Sequence, residues 1–333
     1  MNNYPTHILT ILVALLSLIL NNACVQRPQP EQTPVTIQVA ELKLSSGINA
    51  FEQGNYYGAK IQFNDALTLY RSLDHGIGMA QAHLNLAKTY LDAGNLQSAA
   101  DHLQRSRELA GRENITELSP HLEIMASSLA IKEKQWQQAL TILAPYLPTT
   151  TRATHDSFTL AALQNRIIIA FATEPSTAGH WVTQLAEILN HNGKSQPALV
   201  ARLFRFQALL AQQQGDRSGR DQRFNAALKI YRDSTARPGI AATLYEWAMA
   251  TLTSGQHAEA EDLFQRALTV RFSMQDHLGC IEIMEQLPIR HGAEGDRAEK
   301  LKYWLSVLRQ KELSQLPALL PARFSLREII TDL

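Results

Sequence analysis

The sequence predicts an all-α protein built as an α-solenoid, a row of about seven stacked helical hairpins. Three observations carry that reading. The chain of 333 residues is 45% hydrophobic and 19% charged, with few Gly (16) and Pro (13). Ala, Leu, Gln, Glu and Arg dominate it, all good helix formers. Apolar residues scarcely ever alternate with polar ones as they do in half-buried strands. The third observation is a recurrence: QGNYYGAKIQFNDALTLY at 53–70 returns as QGDRSGRDQRFNAALKIY at 214–231 and as SGQHAEAEDLFQRALTVR at 254–271.

Taken in chain order, residues 1–23 come first. The run ILTILVALLSLIL at 8–20 is broken only by Thr10 and Ser17. It has the length of the apolar region of an export signal and falls short of the roughly 20 residues that span a bilayer. LNNAC follows, with small Ala23 directly before Cys24. This stretch resembles a bacterial lipoprotein signal, in which Cys24 is lipidated and becomes the mature N-terminus. MNNYPTH carries no Lys or Arg, and Asn21 stands where an aliphatic residue is usual. Ordinary cleavage near Ala23 and an uncleaved anchor in the inner membrane therefore stand as alternatives. Val25, and no aspartate, follows the cysteine; by resemblance to enterobacterial sorting this implies the outer membrane, facing the periplasm. Residues 24–38 continue with Pro28, Pro30 and Pro34 among polar residues, a composition that stays extended and builds no core. They read as a spacer behind the lipid, or as a plain disordered N-terminus.

The array is placed at 39–312. Positions equivalent to Ala59 are Ala99, Ala139, Gly179, Arg220, Ala260 and Lys300, so the register advances evenly, with one extra residue before Arg220. Five residues before them stand Gly54, Gly94, Gly215, Gly255 and Gly295, with Lys134 and Glu174 in the other two copies. A glycine there can take the left-handed conformation that stops a helix. Four residues after them stand Phe63, Leu103, Leu143, Thr183, Phe224, Phe264 and Trp304. Each unit thus reads as two helices that cross at a small residue, met by Gly47, Ala87, Ser127, Ala208 or Ala248 on the first helix. One such hairpin cannot bury its apolar face alone, so each leans on the next. Gly78, Gly239 and Gly279 share one position in the segments between units. The fourth copy is weak, and in the seventh Pro288 should break the first helix. Residues 313–333 read as a C-terminal cap or tail.

Leu86-Ala87, Tyr90, Gly94, Ala99 and Leu103 fall at the spacing that marks tetratricopeptide repeats. The chain resembles that family over about 40–310. Its unit is of the longer variety, about 40 residues against the usual ~34. The resemblance implies a right-handed superhelix whose first helices line a concave face for a partner. Carried over residue by residue, that face includes Phe51, Lys88, Leu91, Ile131, Phe171, Arg202, Arg205, Tyr245 and Met249. An apolar wall with a few cations suits an acidic-apolar peptide or a C-terminal carboxylate. Arg202 and Arg205 are expected to serve binding and not stability.

No pattern for catalysis accompanies the repeat. The 11 histidines form no HExxH, and there is no GxGxxG, phosphate loop or GxSxG. Cys24 and Cys280 belong to no CxxC pair; a disulfide between them is possible on paper. Lys+Arg and Asp+Glu both number 31, without the basic excess of a nucleic-acid binder. The sequence therefore predicts no enzyme, cofactor, metal, nucleic acid or small-molecule substrate. Expected partners are other envelope proteins or peptides, plus the membrane through the lipid. The two readings are a lipid-anchored scaffold and, as the alternative, a peptide-sensing regulator.

Overall fold

The computed structural model describes residues 34–148, 157–191, 196–274, 276–287 and 306. Cys24, the apolar run at 8–20, Lys300 and residues 313–333 lie outside them. The chain divides into a short unit, residues 1–38, of which 35–38 are helical, and one body, residues 39–333. The described residues contain no strand. Among them six hairpins follow one another. They are α1 (Val35–Glu52) with α2 (Tyr56–Ser72), α3 (Gly76–Asp92) with α4 (Leu96–Arg112), and α5 (Ser119–Lys132) with α6 (Trp136–Leu143). Then come α7 (Ser157–Thr173) with α8 (Pro175–His191), α9 (Pro197–Gln213) with α10 (Arg217–Asp233), and α11 (Arg237–Thr253) with α12 (His257–Ser273). The first helix of a seventh, α13 (His277–Gln286), stops two residues short of Pro288, since the residue before a proline disfavours the helical conformation.

The true period of the backbone is half the sequence repeat. Left-handed residues sit at Gly54, Asp74, Gly94, Asn114 and Lys134, and again at Gly215, Thr235 and Gly255. Each follows a helix and precedes a capping residue, so a helix of 17 residues and a turn of three make one step. Within units that residue is usually glycine; between units it is Asp74, Asn114 or Thr235, which hides the half-period from a glycine search. Asn55, Asn95, Asp216 and Asp276 cap the next helix by accepting the backbone N–H three residues on, at 2.8–3.0 Å. His75 does the same through Nδ1 at 3.0 Å.

Size complementarity then holds neighbours together. Ala59, Ala99, Ala139 and Ala260 are fully buried at the crossings. A Cβ on Gly47 would lie 2.5 Å from Phe63 Cε1, far inside contact distance. Between units the same device recurs: the ring of Tyr70 lies on Gly78, that of Tyr231 on Gly239, and the side chain of Arg271 on Gly279. This explains the shared glycine of the inter-unit segments.

Two expectations need correction. In the fourth hairpin the buried small residue is Ala178, followed by Val182, Leu185 and Ile188. Gly179 meets nothing nearer than Leu210 at 4.0 Å, and Thr183 is exposed. The copy is one residue out of the expected register because a single residue, Glu174, joins α7 to α8. At Arg220 the position is not small at all, although the residue is fully buried. Its guanidinium leaves the crossing and donates to Gln212 Oε1 (3.0 Å), Ala250 O (3.2 Å), Ser254 Oγ (3.0 Å), Gln256 Oε1 (3.2 Å) and Asp221 Oδ1 (2.7 Å). Asp221 also accepts from Trp247 Nε1 at 2.7 Å. This saturated cation ties the fifth hairpin to the sixth, where a smaller residue would tie nothing.

Candidate binding face

Apart from Tyr90, which stacks on His102 of α4, the residues of α3 that reach the surface are Ile77, Gln81, Leu84, Asn85, Lys88 and Asp92. Spacings of three and four put them in one stripe along the helix. Consecutive first helices are stitched together beside this stripe. Lys88 Nζ lies 4.7 Å from the ring centre of Phe51, and Asn165 Nδ2 donates to Ser127 Oγ (2.8 Å) and Ser128 Oγ (3.0 Å). Arg202 donates to Gln164 Oε1, and Arg205 grips Glu246 with two hydrogen bonds, one of 2.9 Å.

The array curves enough to bring its sixth hairpin against its first, where Arg237 donates to the carbonyl of Gln53 at 2.8 Å, and the charges on this face follow that curvature. Asp92, in the second hairpin, feels Lys88 beside it, Lys132 of the third, Arg202 of the fifth and Asp276 before the seventh. On a flat ribbon those groups would be far apart and screened. Asp92 touches water, yet the crowd around it desolvates its carboxyl and raises its pKa, while the three cations pull it back. Tyr56 is likewise pushed up by burial, then by Asp92 and Asp276. The arrangement can hold an extended segment through charge and apolar contact; among the described residues no three metal-ligating side chains come together.

The residues expected on this face divide into three groups. Lys88 and Arg202 are exposed on it, and Phe51 is half-buried beneath Lys88. Phe171 is half-buried against Phe206, ring centres 6.3 Å apart, and Met249 packs beside the core of the sixth hairpin. Tyr245 lies under Arg271, 5.6 Å from guanidinium to ring centre, and its hydroxyl is hydrogen-bonded to Glu282; burial first and Glu282 second raise its pKa. Leu91 and Ile131, only 4% and 8% exposed, pack into the hairpin cores. The next residues, Asp92 and Lys132, face outward instead. Carrying the family positions over thus placed the stripe one residue early there.

Arg205 corrects the expectation that it serves binding alone. Its side chain is 12% exposed and Glu246 is 28% exposed. Burial would lower its pKa, but the pair with Glu246 outweighs this and holds it above the usual range. It is a joint between the fifth and sixth hairpins. Sequence reasoning missed Asp92, Lys132, Gln164 and Asn165; the spacing of Gln81, Leu84, Asn85, Lys88 and Asp92 on a helix is the signal that finds them.

None of the curated proteins matches this chain. Among solved structures, a tetratricopeptide repeat protein from Parabacteroides merdae is similar, at 15% identity and a TM-score of 0.38, covering 82% of this chain and 99% of that one. Tetratricopeptide repeats generally mediate protein–protein interaction. The family model described as tetratricopeptide repeat matches residues 38–112, so the stretch from α1 to α4 is what this chain shares recognisably with that family.

Proposed function

We propose that the protein is a non-enzymatic adaptor. It takes an extended acidic-apolar peptide, or such a segment of a partner protein, on the concave face of its first helices. The observation that carries this reading is the convergence of Lys88, Lys132 and Arg202 on Asp92, with Asp276 as the second carboxylate there. With Asp276 held by Arg271, four cations to two carboxylates leave a positive excess inside a wall that also carries Leu84, Ile124 and Ile168. In such a concavity charge pairs are worth more than on an open surface. The sequence features at Cys24 support an envelope scaffold tethered by lipid; a mature N-terminus lacking a diacylglyceryl group in mass spectrometry of the membrane fraction would end that part.

The binding part is tested on an array of acidic-apolar synthetic peptides. The triple variant Lys88→Glu/Lys132→Glu/Arg202→Glu should lose at least about tenfold in affinity, roughly 1.4 kcal/mol, with its melting temperature retained. Undiminished binding by the variant contradicts the reading.

A further inference from the structure

The two rims of the array touch. Turns inside units form one rim, and turns between units form the other. Arg237 Nε, in the sixth hairpin, donates to the backbone carbonyl of Gln53 in the first at 2.8 Å. Gly54 packs against Met274 and Pro238; a Cβ there would strike Met274 and come within 3.1 Å of Pro238 Cδ. One unit further on, Gly94 packs against Leu278, where a Cβ would lie 3.0 Å from Leu278 Cβ. Gly54 and Gly94 stand one repeat apart, and so do Pro238 and Leu278. The contact therefore follows the repeat, as expected when one turn of the superhelix comes to rest on the next. Behind it Tyr56 and Asp276 are only 6% and 4% exposed, and Asp276 is paired with Arg271 at 2.7 Å.

We propose that this joint turns the concave face into an enclosed channel, which a partner enters end-on as a linear peptide with a free end and not sideways through the wall. The inference rests on the adaptor reading above and adds the route and the form of the ligand. Sideways entry must part the rims, which breaks the Arg237–Gln53 hydrogen bond and exposes Met274, Leu278 and Tyr56 to water. End-on entry leaves this joint intact. A closed loop or a segment in the middle of a folded domain has no end to offer.

The joint supplies its own lock. Cβ atoms in disulfides lie about 3.5–4.5 Å apart, so Gly94→Cys with Leu278→Cys bridges the rims after a small parting; the φ of +80° at position 94 strains the cysteine, and the reduced double variant is the reference that carries the same strain. The full chain carries these changes together with Cys24→Ser and Cys280→Ala, and is compared oxidised and reduced. The probes are a library of linear acidic-apolar octapeptides and its head-to-tail cyclised counterpart. Both forms should bind linear peptides with dissociation constants within about twofold, and bind cyclic ones at least about tenfold more weakly. If oxidation abolishes binding of linear peptides that the reduced form retains, or if cyclic peptides bind as tightly, the channel is entered sideways and the inference is overturned. If neither library binds the reduced form or the wild type, the adaptor reading itself fails and takes this inference with it.

Discussion

His83 and His102 face each other Nδ1 to Nδ1 at 2.9 Å in the second hairpin, a distance that accommodates one proton between them. Tyr90 stacks on His102 with ring centres 5.3 Å apart, and Lys60 lies 5.2 Å from the centre of Tyr90. Burial first, then His102, Arg105 and Arg71, hold His83 down to about 4 from its ordinary 6.5. Burial and Arg105 lower His102 as well, with Asp101 opposing them. The unfolded chain therefore binds protons between pH 6.5 and about 4 that the folded chain refuses. Stability is complete above that window and falls as the pH drops through it. The melting temperature should decline from about pH 7 to about pH 4.5, and His83→Asn should flatten the decline; equal slopes for both proteins would remove the pair as its cause. Neither partner stood out in the sequence, because 19 residues separate them and no local spacing joins them. The shared glycines did stand out, but the side chain that requires each, Tyr70, Tyr231 or Arg271, is eight residues earlier on another helix. Arg220 was legible only as a misfit among alanines.

Helices and their stops were the readable level. A left-handed glycine at a fixed offset from an apolar pattern is a local signal, so the hairpins around Gly54, Gly94, Gly215 and Gly255 were found from sequence. The fourth hairpin was misplaced by one residue because its turn has neither the glycine nor the usual length. How the hairpins join was not readable, since the joints use polar residues whose roles depend on the neighbour. Arg202 and Arg205 show this: three residues apart on α9, they differ in burial and in task. Arg205→Ala removes a gripped, mostly buried cation and leaves Glu246 unmatched. Loss of one partner of a fully buried pair costs about 3–5 kcal/mol; partial exposure of Glu246 reduces this to about 1–2. Arg202→Ala removes one hydrogen bond to Gln164 from an exposed side chain and should cost less, about 0.5–1 kcal/mol. Denaturant unfolding of the two variants checks the contrast, and an equal loss in both would refute the distinction.

The array as a whole was predicted as stacked hairpins, and that is its fold. Its closure was beyond the sequence: Gln53 and Arg237 are 184 residues apart, and their surroundings read only as turns. The concave placement of Asp92 against Arg202 is a product of that same curvature and was equally hidden. What the molecule does rests on which side of the array a partner meets. Asn85 and Ser128 lie on the inner stripe, whereas Gln104 is exposed on the outer helix α4. A photoreactive phenylalanine placed at each of these positions in the full chain, and irradiated with an acidic-apolar octapeptide, reports the side directly by mass spectrometry. Adducts from Asn85 and Ser128, with none from Gln104, are the predicted result; adducts at Gln104 equal to or exceeding those at the inner positions would contradict it.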